Sequence, residues 1–479
     1  MEKSGTRDLT VGSPMGLILS FMLPLLFGLL FQQFYSMVDT VVVGKFLGVE
    51  ALAGVGSTGS VNFLVLGLCN GVCAGFAIPV AQKFGQKDFD GLRKFVGNMI
   101  WLGSIIALIV TLATTVLCRQ ILTWMDTPAE TFDYAYNYIW VIFLGIPATM
   151  LYNLLSGIIR SLGDSRTPLV FLILSSLLNV ALDIVFIVTF RMGVAGAGWA
   201  TLLSQLISGV LCLGYMVKRF PVLHLRRDDL RLRGIYARHL LNMGLPMGLQ
   251  YSITAIGSSL LQTAVNGLGA NAMAAVTAGS KVQMLCACPY DAIGTTAATF
   301  AGQNLGAEKP HRIHQGVLDC TVLGVAYSAV IYIAMYFWGR DLCLMFLDTK
   351  DLQAVELIGT MSRQFLLVNL AFYVPLLFVN LLRFTIQGLG FSEFAVLAGV
   401  FEMIARGVFG ICLVPPLGFT AVCYASPAAW IMADLFLFPA YVNCMKKRGF
   451  SFGKRVPSQR KPQYKKKGIL PIIFAFFRK

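Results

Sequence analysis

Long, nearly uninterrupted apolar runs recur along this chain, and no other feature restricts its folding as severely. Residues 95–118, for example, contain no charged side chain. A helix needs about 20 apolar residues to cross the hydrocarbon core of a bilayer, and these runs reach that length repeatedly. Of 479 residues, 57% are hydrophobic and only 13% are charged. That is about half the charged share of an ordinary soluble domain. A chain of this kind would aggregate with water on all sides, so it is expected to sit in a membrane. A secreted disulfide scaffold, a disordered protein and a nucleic-acid-binding domain are excluded at this level. A closed β-barrel also crosses bilayers, but these runs are continuous and lack strict alternation, which favours helices.

Three segments stand apart: a polar N-terminus (1–14), a basic stretch (218–238) and a basic tail (446–479). At roughly 30–35 residues per helix plus loop, the remainder holds about twelve spans. They are expected near 17–43, 50–81, 95–118, 134–160, 167–190 and 193–217, then near 239–268, 271–303, 314–338, 357–388, 394–415 and 418–445. The chain thereby divides into an N-terminal lobe over 15–217 with spans 1–6 and a C-terminal lobe over 239–445 with spans 7–12. A basic cytoplasmic linker (218–238) joins them.

The formal net charge of +15 resembles a nucleic-acid signal until it is mapped. Of the 38 Lys and Arg, 29 fall in the N-terminus, the even-numbered loops and the tail, and five in the odd-numbered loops. The other four, Lys281, Arg363, Arg383 and Arg406, lie within spans. This positive-inside asymmetry puts both termini in the cytoplasm, and the chain is expected to be a multi-pass protein of the plasma membrane, a cell inner membrane. No cleavable signal peptide is evident, since the first apolar run is already span-length. The eleven Cys lie mostly inside spans without His nearby and read as small apolar fillers, not metal ligands.

The chain also repeats itself. Leu23-Pro24 recurs as Leu245-Pro246, and Ala51-Leu52-Ala53-Gly54-Val55 as Ala272-Met273-Ala274-Ala275-Val276. Gln82-Lys83-Phe84-Gly85 recurs as Gln303-Asn304-Leu305-Gly306, and Ser161-Leu162-Gly163 as Gly388-Leu389-Gly390. The offsets stay between 221 and 227. Six spans per unit is an even number, so both units enter from the same side and are related by an axis along the membrane normal. Two such lobes enclose a central cleft, the geometry of an alternating-access carrier. Gly67, Gly71 and Gly75 on span 2 form a doubled small-residue motif, expected to pack helices within the lobe. Pro24, Pro147, Pro246 and Pro375 each interrupt a span, and Pro24 is the best candidate for a bend that changes during transport.

No P-loop, zinc-protease helix or hydrolase elbow is present. Energy must then come from an ion gradient, or the substrate equilibrates passively. Ionisable residues inside spans are the sharpest clue, because each costs about 2.5–3.5 kcal/mol at a helix centre. The candidates are Asp39, Asp183, Lys281, Asp291, Glu402, Arg406 and Asp434. Gln32, Tyr35 and Asp39 fall on one stripe of span 1, Asn179 and Asp183 on one face of span 5, and Thr201 and Gln205 on one face of span 6. At about 1.5 Å rise per residue, Asp39, Asp183 and Thr201 all lie roughly 6–12 Å below the outer boundary. Shifted by the repeat offset, Asp39 lands on Leu261 and Asp183 on Gly410. The acids occur in one lobe only, which points to a task and not to architecture. Two neighbouring carboxylates in low dielectric cannot both ionise cheaply. The pair is suited to taking up a proton, or Na⁺ with Asn179 and Thr201 completing the shell.

The C-terminal lobe offers a different set. Glu402 and Arg406 are i, i+4 on span 11 and are expected to pair. Asp291 follows Lys281 by ten residues, about 15 Å along span 8, so these two cannot pair. Either is a candidate for the substrate cleft, Asp291 for a cationic substrate. Asp434 on span 12 is expected to meet a helix end or a snorkelling Lys or Arg.

Twelve spans, two parallel lobes, the series Pro24–Gln32–Tyr35–Asp39, the pair Asn179–Asp183, Thr201 and the segment Gly302–Gly306 together resemble the multidrug and toxic compound extrusion (MATE) family over about residues 10–445. The resemblance implies an all-α integral membrane fold of twelve helices in two six-helix lobes. It further implies export of amphipathic, mostly cationic organic compounds in exchange for H⁺ or Na⁺, with no cofactor and no enzymatic activity. Asp39, Asn179, Asp183 and Thr201 would form the coupling site, with Gln32 and Tyr35 beside it and Pro24 as the bend. The chain departs from the branch with acids on spans 7 and 10, where it has Gln250 and Thr254, and Asn369 and Asn380. The expected partners are small molecules and the lipid bilayer, with the protein acting as a monomer. The tail is basic over 446–467 and apolar from Ile469 to Phe477; that apolar run is too short to span, and the tail is expected either to lie on an anionic membrane surface or to be a disordered appendage.

Three rivals remain. A flippase for lipid-linked saccharides on a related fold would need a basic cleft for pyrophosphate, yet only Lys281, Arg363, Arg383 and Arg406 are available. A channel or receptor would show flux without counter-ion dependence. An enzyme would need a nucleophile–base constellation, which is absent.

Overall fold

The computed structural model describes residues 6–125, 127–346 and 352–450. The tail beyond residue 450, including the apolar run from Ile469 to Phe477, lies outside the described residues. All regular structure among those residues is helical. Span 1 is Pro14–Leu47, and a short helix, Val49–Ser57, leads into span 2, Gly59–Gly85. Span 3 is Phe89–Val116. Span 4 is broken into Ala129–Leu144 and Ile146–Ser161, bent by 46°. Span 5 is Arg166–Ile184 with a π-helical turn at Val185–Thr189, and span 6 is Val194–Arg219.

The second half repeats this order. Spans 7, 8 and 9 are Gly234–Asn266, Ala270–Gly306 and Pro310–Leu344. Span 10 is broken into Leu352–Ala371 and Tyr373–Gly388, bent by 51°. Span 11 is Ser392–Val408 with a π-helical turn at Phe409–Leu413, and span 12 is Phe419–Lys447. Both bends fall just before a proline, Pro147 or Pro375, whose ring and missing N–H cannot continue the preceding turn. Leu108, Ile109, Leu112 and Val116 on span 3, and Val330, Ile333 and Phe337 on span 9, are exposed. In a multi-pass bundle of this composition, such apolar faces meet lipid acyl chains.

Gly67, Gly71 and Gly75 do not pack within their own lobe, which corrects the sequence expectation. They face span 7 of the other lobe. A Cβ on Gly71 would collide with the Met247 carbonyl, and one on Gly75 would come within 2.6 Å of Gly244 Cα. Glycine is required here because two backbones cross without room for a side chain. The periodicity revealed the close approach, but a local pattern carries no information about which helix approaches.

Repeat-equivalent residues touch each other across the axis. A Cβ on Gly85 would strike the Gln303 backbone, and a Cβ on Gly306 the Gln82 carbonyl. Such reciprocal contacts are what a two-fold relation between like units produces. They lie at the end of the bundle that carries both described termini, where further bonds seal the lobes together. Gln303 accepts from Leu9 N–H at 2.9 Å and donates to the Ser161 carbonyl at 2.8 Å. Gln82 donates to the Gly388 carbonyl at 3.0 Å. The N-terminal segment forms a strap over this seal: Arg7 N–H donates to the Leu162 carbonyl, and Lys309 Nζ to that of Thr10.

Candidate functional site

Above the seal lie two adjoining cavities of about 190 and 220 Å³, the first lined by the N-terminal lobe apart from Thr295 and the second lying between the lobes. Both are lined by Leu29, Gln32, Asn70, Asn153, Arg160 and Thr295. Pro24, Tyr35, Thr201 and Gln205 belong to the first cavity. Pro24 is buried inside the span 1 helix, which runs unbroken past it in this conformation.

Four of the predicted N-lobe residues come together beside this cavity. Asp183 is fully buried and Asn179 is 2% exposed, because their face of span 5 turns inward. Asp39 is half-buried on span 1, with its carboxyl group within hydrogen-bonding reach of that of Asp183. Asn179 Nδ2 donates to Thr201 Oγ1 at 3.3 Å, which links spans 5 and 6. Tyr35 lies against Gln32 and within electrostatic reach of both acids.

The decisive property of this cluster is what its oxygens lack. Among the described residues no donor reaches Asp39 Oδ1, either oxygen of Asp183 or Asn179 Oδ1, and all four atoms are buried; Gln205 Oε1, one turn along span 6 from Thr201, is likewise buried and donorless. Buried acceptors are normally satisfied, and leaving one unmade costs about 1–3 kcal/mol, more for a charged group. No Lys or Arg forms an ion pair with either acid among the described residues. The four acceptors on Asp39, Asp183 and Asn179, with no fixed cation, are chemically matched to a mobile one: a proton shared between the carboxyls, or an alkali cation with oxygen ligands. Tyr138 on span 4, not singled out from the sequence, also lies within electrostatic reach of Asp39 and Asp183 and is 7% exposed.

The C-terminal candidates separate into two groups. Glu402 and Arg406 do bond each other, at 3.4 Å, but Glu402 makes its closer pair with Arg383 of span 10. All three are nine-tenths buried or more. Asp434 is 7% exposed and lies within electrostatic reach of Arg383 and Glu402, with no ion pair to either among the described residues. Asp291 is exposed on span 8, one turn from the cleft-lining Thr295, with Arg383 its charged neighbour. Lys281 stays apart, 5.5 Å above the Phe346 ring.

Arg160 was counted from the sequence among the cytoplasmic charges, yet it lines both cavities. A signal was present: Thr149, Asn153, Ser156 and Arg160 recur at spacings of three and four on span 4, a polar stripe.

The MatE family model matches residues 24–185 and 246–411, most of both lobes. "Probable multidrug resistance protein YpnP" of Bacillus subtilis (strain 168) is 27% identical over 377 residues, 78% of this chain and 82% of that protein. "Probable multidrug resistance protein YoeA" of the same strain is 25% identical over 438 residues, 89% of this chain and 93% of that one. Among solved structures, an outward-facing multidrug resistance MATE transporter of the MOP superfamily aligns with a TM-score of 0.86 at 22% identity. It covers 94% of this chain and 99% of that one. At that identity the likeness shows the fold.

Proposed function

Because the chain belongs to the MATE family, whose members are transporters and not enzymes, we propose that it is a secondary active multidrug exporter driven by H⁺ or Na⁺. The observation that carries this reading is the set of four buried, donorless oxygens on Asp39, Asn179 and Asp183. The relatives named as multidrug resistance proteins support the efflux half of the reading. The substrates are amphipathic, mostly cationic organic molecules, for which exposed Asp291, one turn from the cavity-lining Thr295, supplies a negative group near the cleft. Both termini lie on the cytoplasmic side of the plasma membrane, so the sealed end faces inward, and the exporter acts as a monomer.

In the proposed cycle the substrate enters while the cleft faces the cytoplasm. The lobes then rock about the span 2–span 7 contact until the seal closes. A proton or Na⁺ entering from outside binds among Asp39, Asn179, Asp183 and Thr201. Neutralising the acids removes their mutual repulsion and lets span 1 draw in toward spans 5 and 6, with Pro24 as the bend. Since Tyr35 and Gln32 on that span line the cavity, its movement shrinks the site and displaces the substrate. One charge crossing 100 mV contributes about 2.3 kcal/mol, enough for roughly a fifty-fold gradient of a neutral substrate per ion.

The test is substrate efflux from proteoliposomes with pH and Na⁺ gradients imposed separately, comparing wild type with Asp39→Asn and Asp183→Asn. Wild type should respond to one gradient, and both variants should lose that response. Full gradient-driven export by both variants defeats the site, and export with neither gradient defeats antiport. A flippase for lipid-linked saccharides is less well supported, since Arg160 is the sole charged residue lining the two cavities among the described residues.

A further inference from the structure

We infer that Arg160 is an anion-binding position on the floor of the central cleft, and that the exporter takes molecules bearing a carboxylate or phosphate group beside their apolar and cationic parts. This deepens the exporter reading and rests on it.

Arg160 occupies the last turn of span 4, next to Ser161, whose carbonyl takes part in the seal. An arginine at that place would ordinarily extend toward the cytoplasmic surface and the lipid headgroups. This one is turned the other way and forms part of the wall of both cavities. Its guanidinium makes no ion pair and no hydrogen bond with any described residue, although it is half-buried. The titratable groups within its electrostatic reach are Tyr152, Tyr251 and Cys73, and none is an acid. The contrast with Arg383 and Arg406 is direct, since both hold Glu402.

A guanidinium carries five N–H donors in a planar fork that fits a carboxylate or phosphate in two parallel bonds. Leaving such a group unpaired inside a cleft is costly unless something in the transport cycle pairs it. The neighbouring surface suits an anion-bearing organic molecule. Asn70 and Asn153, bonded to each other at 2.7 Å, offer neutral polar contacts, and Leu29, Met247 and Phe384 offer apolar ones. Tyr251 lies within reach of Arg160 on one side and of Asp291 and Arg383 on the other. The cavities therefore present an unpaired cation from the N-terminal lobe, and the exposed acid Asp291 of the other lobe lies outside their lining, within reach of the shared neighbour Tyr251. That polarity fits an amphoteric substrate better than a purely cationic one.

The experiment compares two dyes that differ by one methyl group: rhodamine 123, a cationic ester, and rhodamine 110, its free-carboxylate analogue. Binding of each to the full-length protein in nanodiscs is followed by fluorescence anisotropy for wild type, Arg160→Gln and Arg160→Lys. The glutamine variant should lose rhodamine 110 affinity by roughly ten-fold, about 1.4 kcal/mol, and change rhodamine 123 affinity less than about two-fold. The lysine variant should retain most of the rhodamine 110 binding. Because each preparation is read as a ratio of the two dyes, a partly misfolded variant does not mimic the result. Equal loss of both dyes assigns Arg160 a structural role and overturns the inference, as does unchanged rhodamine 110 binding. Complete displacement of rhodamine 110 by inorganic phosphate at levels that leave the glutamine variant unaffected supports direct anion contact. Phosphate binding without rhodamine 110 binding shows a free-anion site and overturns the substrate assignment. A wild type that binds the ester but not the acid sinks this inference and leaves the exporter reading standing, whereas one that binds neither sinks both.

Discussion

In the N-terminal lobe Asp39 and Asp183 meet where span 1 passes span 5. In the C-terminal lobe the equivalent positions, Leu261 and Gly410, also meet, and a Cβ on Gly410 would lie 3.7 Å from Leu261 Cα. Span 5 and span 11 each end in a π-helical turn, Val185–Thr189 and Phe409–Leu413. Such turns are frequent at functional sites, yet one lobe has the turn without the acids. The turn and the close approach therefore belong to the duplicated fold, while the carboxylates belong to one lobe's work. Countercharge separates the lobes further. Glu402 is held between Arg383 and Arg406, whereas Asp39 and Asp183 have no cation from any described residue. A buried acid with its own arginines is a structural element, and a buried acid pair without them is completed by something that comes and goes.

The largest effect expected from this difference is on transport. Asp183→Asn should abolish gradient-driven accumulation, taking the steady-state substrate ratio from up to roughly fifty-fold toward unity. Glu402→Gln, in whatever fraction folds, should keep the same dependence on the imposed gradient. Measuring both in proteoliposomes with one dye gives the comparison directly. Equal loss of coupling in the two variants would mean that the lobes share the task.

Stability should show the reverse order. Removing one partner of a buried ion pair leaves the other charge uncompensated and costs about 3–5 kcal/mol. Glu402→Gln should thus lower the thermal unfolding midpoint in detergent markedly. Asp183→Asn breaks no ion pair and relieves a like-charge neighbour, so its midpoint should hold or rise. A fall of similar size in both would show that Asp183 is a fixed structural charge and would remove the basis of the proposed site.

The span 2–span 7 contact tests what joins the lobes. Gly71→Ala places a methyl against the Met247 carbonyl, a backbone atom that cannot rotate away. Overpacking of this kind costs about 1–3 kcal/mol. Gly59→Ala, on the same helix with open space around it, supplies the control. Equal thermal shifts for the two variants would mean that the lobes do not rely on this crossing.

Hydropathy, charge asymmetry and the repeat were enough to read twelve helices in two parallel lobes, because the bilayer imposes length and helicity on every span. The stripe Gln32–Tyr35–Asp39 and the pair Asn179–Asp183 were legible because helical spacing puts such residues on one face. Arg160 was misread because a charge near the end of a span looks the same whether it reaches the headgroups or turns into a cleft. Glu402 was assigned to Arg406 because i, i+4 is visible in a sequence, whereas the nearer Arg383 comes from another helix. Tyr138 and the partner of the Gly67–Gly71–Gly75 face escaped for the same reason. What remains hidden is consistently the neighbour across helices, which depends on packing and not on periodicity.

The smallest predicted effect concerns the seal, where the lobes again differ at equivalent residues. Gln303 is fully buried and makes two bonds, one to Leu9 of the N-terminal strap and one to Ser161. Gln82, its repeat equivalent, is half-buried and bonds Gly388 alone. At about 1 kcal/mol net per hydrogen bond, Gln303→Leu should weaken the sealed state by roughly 1–2 kcal/mol, a five- to thirty-fold shift toward opening at that end. Gln82→Leu should give about half that free energy. Thr299 lines the cavity nearest the seal. With exposed Cys412 replaced by Ser, a Thr299→Cys reporter labelled from the sealed side by a membrane-impermeant thiol reagent reads the opening as a rate. A Gln303→Leu rate well above that of Gln82→Leu means that the strap locks one lobe onto the other, an asymmetry added to a symmetric contact. Equal rates would assign the seal to the two-fold contact of Gly85 and Gly306 alone, and leave the strap no share in holding it closed.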